Sequence, residues 1–172
     1  MSVNEHKLEA PKSIRIMVIT VSDTRTPETD KSGKTMMELL ESAGHTISAY
    51  KIVKDEQQEI HNALIEGCHN SDIDVILTNG GTGIARRDVT IETVKSLLDK
   101  ELPGYGEIFR MLSYLEDIGS AAILSRAIAG VAKDKVIFST PGSTGAVKLA
   151  MNKLILPEIA HVVREVRKDL LG

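Results

Sequence analysis

The hydrophobic pattern of the chain switches between two periods. Residues 14–21 read Ile-Arg-Ile-Met-Val-Ile-Thr-Val, a β-branched run of the kind found in a strand covered on both faces. Ser22 and Asp23 end it, and a polar loop follows to about Asp30. Over residues 31–43 the spacing of Met36, Met37, Leu39 and Leu40 predicts an amphipathic helix, stopped by Gly44. Residues 46–53 predict a second strand. Asp55, with Gln58 three residues on, has the spacing of a reciprocal helix cap, and Ile60, Ala63, Leu64 and Cys68 follow at helical intervals. Residues 75–78 predict a third strand, which runs directly into a glycine-rich loop.

Beyond that loop, Thr90 is placed to cap a helix through Val94, Leu97 and Leu98. Residues 104–115 predict another helix, carrying Tyr105, Ile108, Phe109, Met111, Leu112 and Leu115. That apolar surface is too broad for one core-facing stripe, so part of it is expected to meet another subunit. Residues 127–132 and 135–139 predict two short strands around a turn at Asp134. Helices then span residues 145–170, with an interruption at Pro157. Strands alternating with helices predict a three-layer α/β sandwich with a mostly parallel central sheet. We expect one domain over residues 14–172, preceded by a flexible polar tail over residues 1–13. No repeat or linker divides the chain.

Composition narrows the functional classes. A net charge of −3, from 21 basic and 24 acidic residues, gives no basic field for nucleic acid. No apolar run is long enough to span a bilayer, and the N-terminus does not read as a signal or transit peptide, so a cytoplasmic protein is expected. The single Cys68 has no partner for an intramolecular disulfide. The five histidines, at 6, 45, 61, 69 and 161, form no cluster along the sequence and suggest no metal site there.

Candidate chemistry concentrates where the third strand ends. Thr78-Asn79-Gly80-Gly81-Thr82-Gly83 supplies glycines that let backbone amides approach a ligand, and Arg86-Arg87-Asp88 adds charge within a few residues. This composition suits an anionic, phosphorylated ligand with a carboxylate at hand. The glycine spacing matches neither a dinucleotide-binding fingerprint nor a P-loop. In a parallel sheet, ligands gather beyond the carboxyl ends of the strands. Val21-Ser22-Asp23, Val53-Lys54-Asp55, residues 79–88 and residues 139–144 would all lie there. Asp23 is open to two readings, a contact to a ligand or simple closure of the strand. Pro141-Gly142-Ser143 leads into a helix whose N-terminus favours anions.

These residues resemble the molybdenum cofactor biosynthesis family that includes the MoaB and MogA proteins and the G domain of gephyrin. The likeness rests on Thr78-x-Gly80-Gly81-Thr82-Gly83, Arg87-Asp88-Val89-Thr90, Pro141-Gly142, Val21-Ser22-Asp23 and Asp55, and extends over residues 14–170. The segment Pro103-Gly104-Tyr105-Gly106-Glu107-Ile108-Phe109-Arg110-Met111-Leu112-Ser113 is similar to the MoaB branch. The chain departs from the pattern at Ile91, where many relatives carry proline.

The resemblance implies binding of molybdopterin, a pterin with a dithiolene and a terminal phosphate. In active members it implies transfer of AMP from Mg-ATP to that phosphate, with release of pyrophosphate. It also implies two catalytic aspartates, at Asp55 and Asp88, which would hold Mg²⁺. Ser22, Asp23, Thr78, Gly80, Gly81, Thr82, Gly83, Pro141, Gly142 and Ser143 would bind substrate and phosphate. A homo-oligomer, trimer or hexamer, is implied, with other molybdenum cofactor biosynthesis proteins as further partners. Some MoaB proteins lack the transfer activity and the second aspartate, whereas this chain keeps Asp88. The expected function is therefore an adenylyltransferase. A non-catalytic molybdopterin carrier and a different nucleotide-using transferase on the same fold are the alternatives.

Overall fold

Period-two alternation within the first strand explains how the layers assemble. In the computed structural model, which describes residues 2–170, β1 (Arg15–Val21) is buried along nearly its whole length. Ile16 and Val18 face one side and join Met36, Leu40, Phe109, Val147, Ile155 and Ile159 in the larger core. Met17 and Ile19 face the other and pack with Ile60, Leu64, Ile76 and Val94. Successive strand side chains point to opposite faces, so a doubly covered strand must be apolar at nearly every position.

The elements run α1 (Val3–Leu8), β1, α2 (Lys31–Ser42), β2 (Thr46–Val53), α3 (Gln57–His69), β3 (Val75–Asn79), α4 (Thr90–Leu97), β4 (Lys100–Glu101), α5 (Pro103–Glu116), β5 (Ile128–Ala132), β6 (Lys135–Thr140), α6 (Thr144–Ala150) and α7 (Leu156–Arg167). A 3₁₀ helix covers Gly119–Leu124, and a π-helical turn over Met151–Ile155 joins α6 to α7. The sheet order is β2-β1-β3-β6-β5-β4. β2, β1, β3 and β6 are parallel, while β5 is antiparallel to both β6 and β4. This is the expected α/β sandwich with a mostly parallel sheet. Among the described residues no helix is long and apolar enough to cross a membrane.

Register brings the functional loops together. Val21 pairs with Val53, Thr20 with Asn79, and Asn79 with Thr140, so four parallel strands finish level at one edge. β5 and β6 meet at Lys133 and Asp134, with φ values of 49° and 62°, as a two-residue hairpin turn requires.

Several local expectations change. The segment before Ile14 is not all loose tail, because Val3–Leu8 form a helix whose N-terminus Ser2 and Glu5 cap reciprocally. Met1 and residues 171–172, at the outer ends of the expected tail and domain, lie outside the described residues. Glu56, not Asp55, occupies the N-cap position of α3, and Val89, not Thr90, that of α4. Pro157 does not break the last helix, because it falls in the first turn of α7, directly after the π-helical turn. The two-residue edge strand β4 is too short to leave a periodic signal.

Candidate active site at the carboxyl edge of the sheet

Buried polar groups beneath the strand ends set the floor of the site. Asp30 caps α2 through the Gly33 amide (3.0 Å) and accepts hydrogen bonds from Thr20 Oγ1 (2.6 Å) and the Tyr50 hydroxyl. Burial raises the Asp30 carboxyl pKa, but the donors from Thr20, Tyr50 and Gly33 outweigh it and hold the group below its usual range. The Asn79 side-chain amide donates to Thr20 Oγ1 (3.0 Å), and its oxygen accepts from Ser32 Oγ (2.7 Å). Onto this network sits Arg25. Its guanidinium donates to Ser32 Oγ (2.6 Å) and to the Gly142 carbonyl (2.8 Å), and it pairs with Asp30 at 3.5 Å.

Above this floor lies an open cleft of about 500 Å³. Ser22, Arg25, Asp55, residues 80–83, Asp88, Pro141 and Gly142 line one part of it, and Ile118, Ala121, Leu124 and Ser125 form a more apolar wall. Gly80 and Gly81 have φ of +95° and +68°, a backbone state that favours glycine. The loops pack glycine against glycine, since a Cβ on Gly142 would stand 3.0 Å from the Gly80 Cα.

The two predicted aspartates meet at this loop, Asp55 from the β2–α3 crossover and Asp88 from the loop's own far end. A Cβ at Gly81 would stand 3.1 Å from Asp55 Oδ1, and one at Gly83 would stand 2.6 Å from Asp88 Oδ2. Burial pushes the Asp55 carboxyl above its ordinary pKa, and the negative charges of Asp23 and Asp88 push it the same way. Asp88 Oδ2 also accepts from the Ala85 amide (2.9 Å), which closes the turn before it.

Other predicted residues have structural positions. Thr78 is fully buried, and its hydroxyl donates to Ser139 Oγ (2.7 Å) inside the sheet, so it does not line the cleft. Ser143 caps α6 by accepting from the Ala146 amide (3.1 Å), one residue outside the lining. Asp23 lies outside the lining of this cleft. It accepts from Arg87 Nε (2.9 Å) and from the Asp55 amide (3.1 Å), stapling three loops together.

Sequence reasoning missed Arg25 and the clamping role of Arg126. Arg126 donates to the carbonyls of Thr82 (3.0 Å), Gly83 (2.7 Å) and Asp88 (3.1 Å) from outside the cleft lining. Those carbonyls therefore address a guanidinium instead of an incoming anion. Arg25 lies in a polar loop just after a strand end, which is the signal that could have found it. Nothing near Arg126 in the sequence marks its contact with the glycine loop.

Residues 17–161 match the protein family described as "Probable molybdopterin binding domain". The chain belongs to this molybdopterin-binding family. It is 68% identical over 169 residues to molybdenum cofactor biosynthesis protein B of Bacillus subtilis (strain 168), covering 98% of this chain and 99% of that protein. The corresponding protein of Staphylococcus carnosus is 55% identical over 171 residues, covering 98% of this chain and all of that one. A crystal structure of a molybdenum cofactor biosynthesis protein B superposes with a TM-score of 0.91 at 61% identity, over 93% of this chain and 99% of that one. The tungsten cofactor synthesizing protein MoaB from Pyrococcus furiosus superposes with a TM-score of 0.81 at 43% identity, over 92% and 99% of the two chains. Membership of the molybdopterin-binding family thus agrees with the resemblance carried by the glycine loop and the two aspartates.

Proposed function

We propose that the cleft binds molybdopterin through its terminal phosphate and that the chain adenylylates this phosphate with ATP, releasing pyrophosphate. The observation that carries the reading is that Asp55 and Asp88 both approach the glycine loop, in one cleft with the Arg25 guanidinium. An oxygen of the terminal phosphate would bond to the α-phosphorus of ATP as the bond to pyrophosphate breaks. Joining two anions demands that their repulsion be suppressed and that the attacking and leaving oxygens be held in line.

Arg25 supplies fixed positive charge, oriented by Ser32 and Gly142. Arg126 keeps loop carbonyls away from the phosphates. Two carboxylates that can be completed by phosphate oxygens and water form a donor set suited to Mg²⁺, and the crowded charge around Asp55 favours a cation there. Magnesium bound by Asp55 and Asp88 would neutralise the triphosphate. A cytoplasmic location, with its supply of ATP, is part of this reading. The second reading is a carrier that binds molybdopterin without reacting. The Asp88–Ala85 hydrogen bond favours it, because closing a turn is a task that needs no metal.

Pyrophosphate release from Mg-ATP, measured with and without molybdopterin, separates the two. The enzyme reading expects molybdopterin-dependent release that falls about a hundredfold or more in Asp88→Asn with pterin binding retained. A wild type that binds molybdopterin but releases no pyrophosphate is a carrier. An Asp88→Asn protein as fast as wild type would remove Asp88 from the mechanism.

A further inference from the structure

Outside the cleft lining, α1 lies against α7 through a cluster built from both ends of the sequence. His6, His161 and Glu165 each present one ligand atom, and these atoms lie within 4.8 Å of one another. His6 Nδ1 is 3.0 Å and His161 Nε2 is 3.9 Å from the same oxygen, Glu165 Oε1. A tetrahedral ion with bonds of about 2.0–2.1 Å holds its ligand atoms roughly 3.3–3.4 Å apart, so the two separations bracket the required spacing.

A second observation concerns orientation. His161 Nδ1 lies 2.9 Å from Glu158 Oε2. With the Nδ1 proton donated to that carboxylate, the Nε2 lone pair is directed into the cluster. A carboxylate behind a histidine in this way is how metal-ligating imidazoles are commonly oriented. Lys7 in turn engages the other oxygen of Glu158 (2.5 Å). The side chains of His6, His161 and Glu165 are 26%, 19% and 32% exposed, shielded enough to be held yet open to an ion from solvent. Arg164 Nη1 donates to this same Oε1 (2.8 Å), a bond that an incoming ion would displace, and Lys168 faces the other oxygen, Oε2 (3.0 Å).

The geometry points to a site for a divalent transition-metal ion of the zinc class, held by His6, His161 and Glu165 with a fourth position for water, that fastens α1 to α7. Two imidazoles and a carboxylate, half-buried, suit zinc better than magnesium or calcium, which prefer oxygen ligands alone. The site is independent of the reading of the cleft.

Calorimetric titration of the full chain with zinc alone tests it. We expect one saturable site per chain. His6→Gln, His161→Gln and Glu165→Gln should each weaken binding more than about tenfold. Glu158→Gln should weaken it about tenfold or more by freeing the His161 ring. His69→Gln, on the exposed end of α3, should leave it unchanged. None of α1 is buried, so the His6 variant should keep the wild-type melting temperature without zinc and lose only the zinc-induced rise. Absence of saturable binding at submillimolar zinc, or binding that survives in all three ligand variants, overturns the site. Unchanged affinity in Glu158→Gln overturns the orientation on which it rests.

Discussion

At Gly81 a φ of +68° and crowding combine, because an added Cβ would fall inside contact distance of Thr90 Oγ1. Gly81→Ala should therefore destabilise the fold by about 1–3 kcal/mol, read as a lowered Tm, before any ligand is considered. Gly104→Ala is the control, since a Cβ there meets nothing within 4 Å, and its Tm should stay level or rise. A Gly81→Ala protein that melts like wild type would show that the glycine serves the ligand alone. Asp55 behaves in the opposite way. Its carboxyl pKa is raised by burial and by Asp23 and Asp88, so ionised Asp55 opposes folding above that pKa, and the penalty fades as pH falls through it. Asp55→Asn should thus keep or raise the Tm at neutral pH, while lowering the proposed adenylyl transfer about a hundredfold. A lower Tm would contradict this sign.

The segment from Gly80 to Thr90 behaves as one clamped unit. Thr90 donates its hydroxyl to the Gly80 carbonyl (3.0 Å) and its amide to the Gly81 carbonyl (3.1 Å), so the first residue of α4 ties back to the end of β3. Arg87 pins the far side to Asp23, and Arg126 holds three carbonyls from below. Arg126→Met preserves much of the side-chain volume but removes every donor. We expect a loss of about 2 kcal/mol in stability and weaker molybdopterin binding, because loop carbonyls become free to face the phosphate. Unchanged affinity in calorimetry would show that the loop holds its shape without the clamp.

The whole molecule buries its two cores well but leaves a band of apolar side chains outside. Ile108, Met111, Tyr114 and Leu115 on α5 are exposed, as are Ile118, Ile123 and Leu124 beside them. Tyr105 and Phe109 take the inward face of the same helix. Ile118 and Leu124 also line the cleft, so a neighbour seated on this band would reach the rim of the site. We expect self-association into the trimer or hexamer that the family resemblance implies, and Met111→Glu with Leu115→Glu should shift light scattering toward the monomer mass. A wild-type monomer at micromolar concentration would rule this out.

What the sequence alone determined was set by local rules. The runs at residues 14–21 and 75–78 read as covered strands, the glycine loop announced itself by composition, and Asp55 and Asp88 were legible as candidate site residues. Capping was less legible, because Asp55 and Thr90 have cap-like side chains and only the path of the chain decided that Glu56 and Val89 take those positions. Tertiary structure alone decided which polar groups meet. Thr78 went to Ser139 across β3 and β6, Asp23 to Arg87, Arg25 to Gly142 and Arg126 to the glycine loop. His6 and His161, with no ligand spacing between them, came together through α1 and α7. The physical reason is range. Hydrophobic periodicity and turn chemistry act over a few residues and survive in the sequence, whereas a hydrogen bond or an ion pair between distant segments is set by register and crossover and leaves no spacing to read.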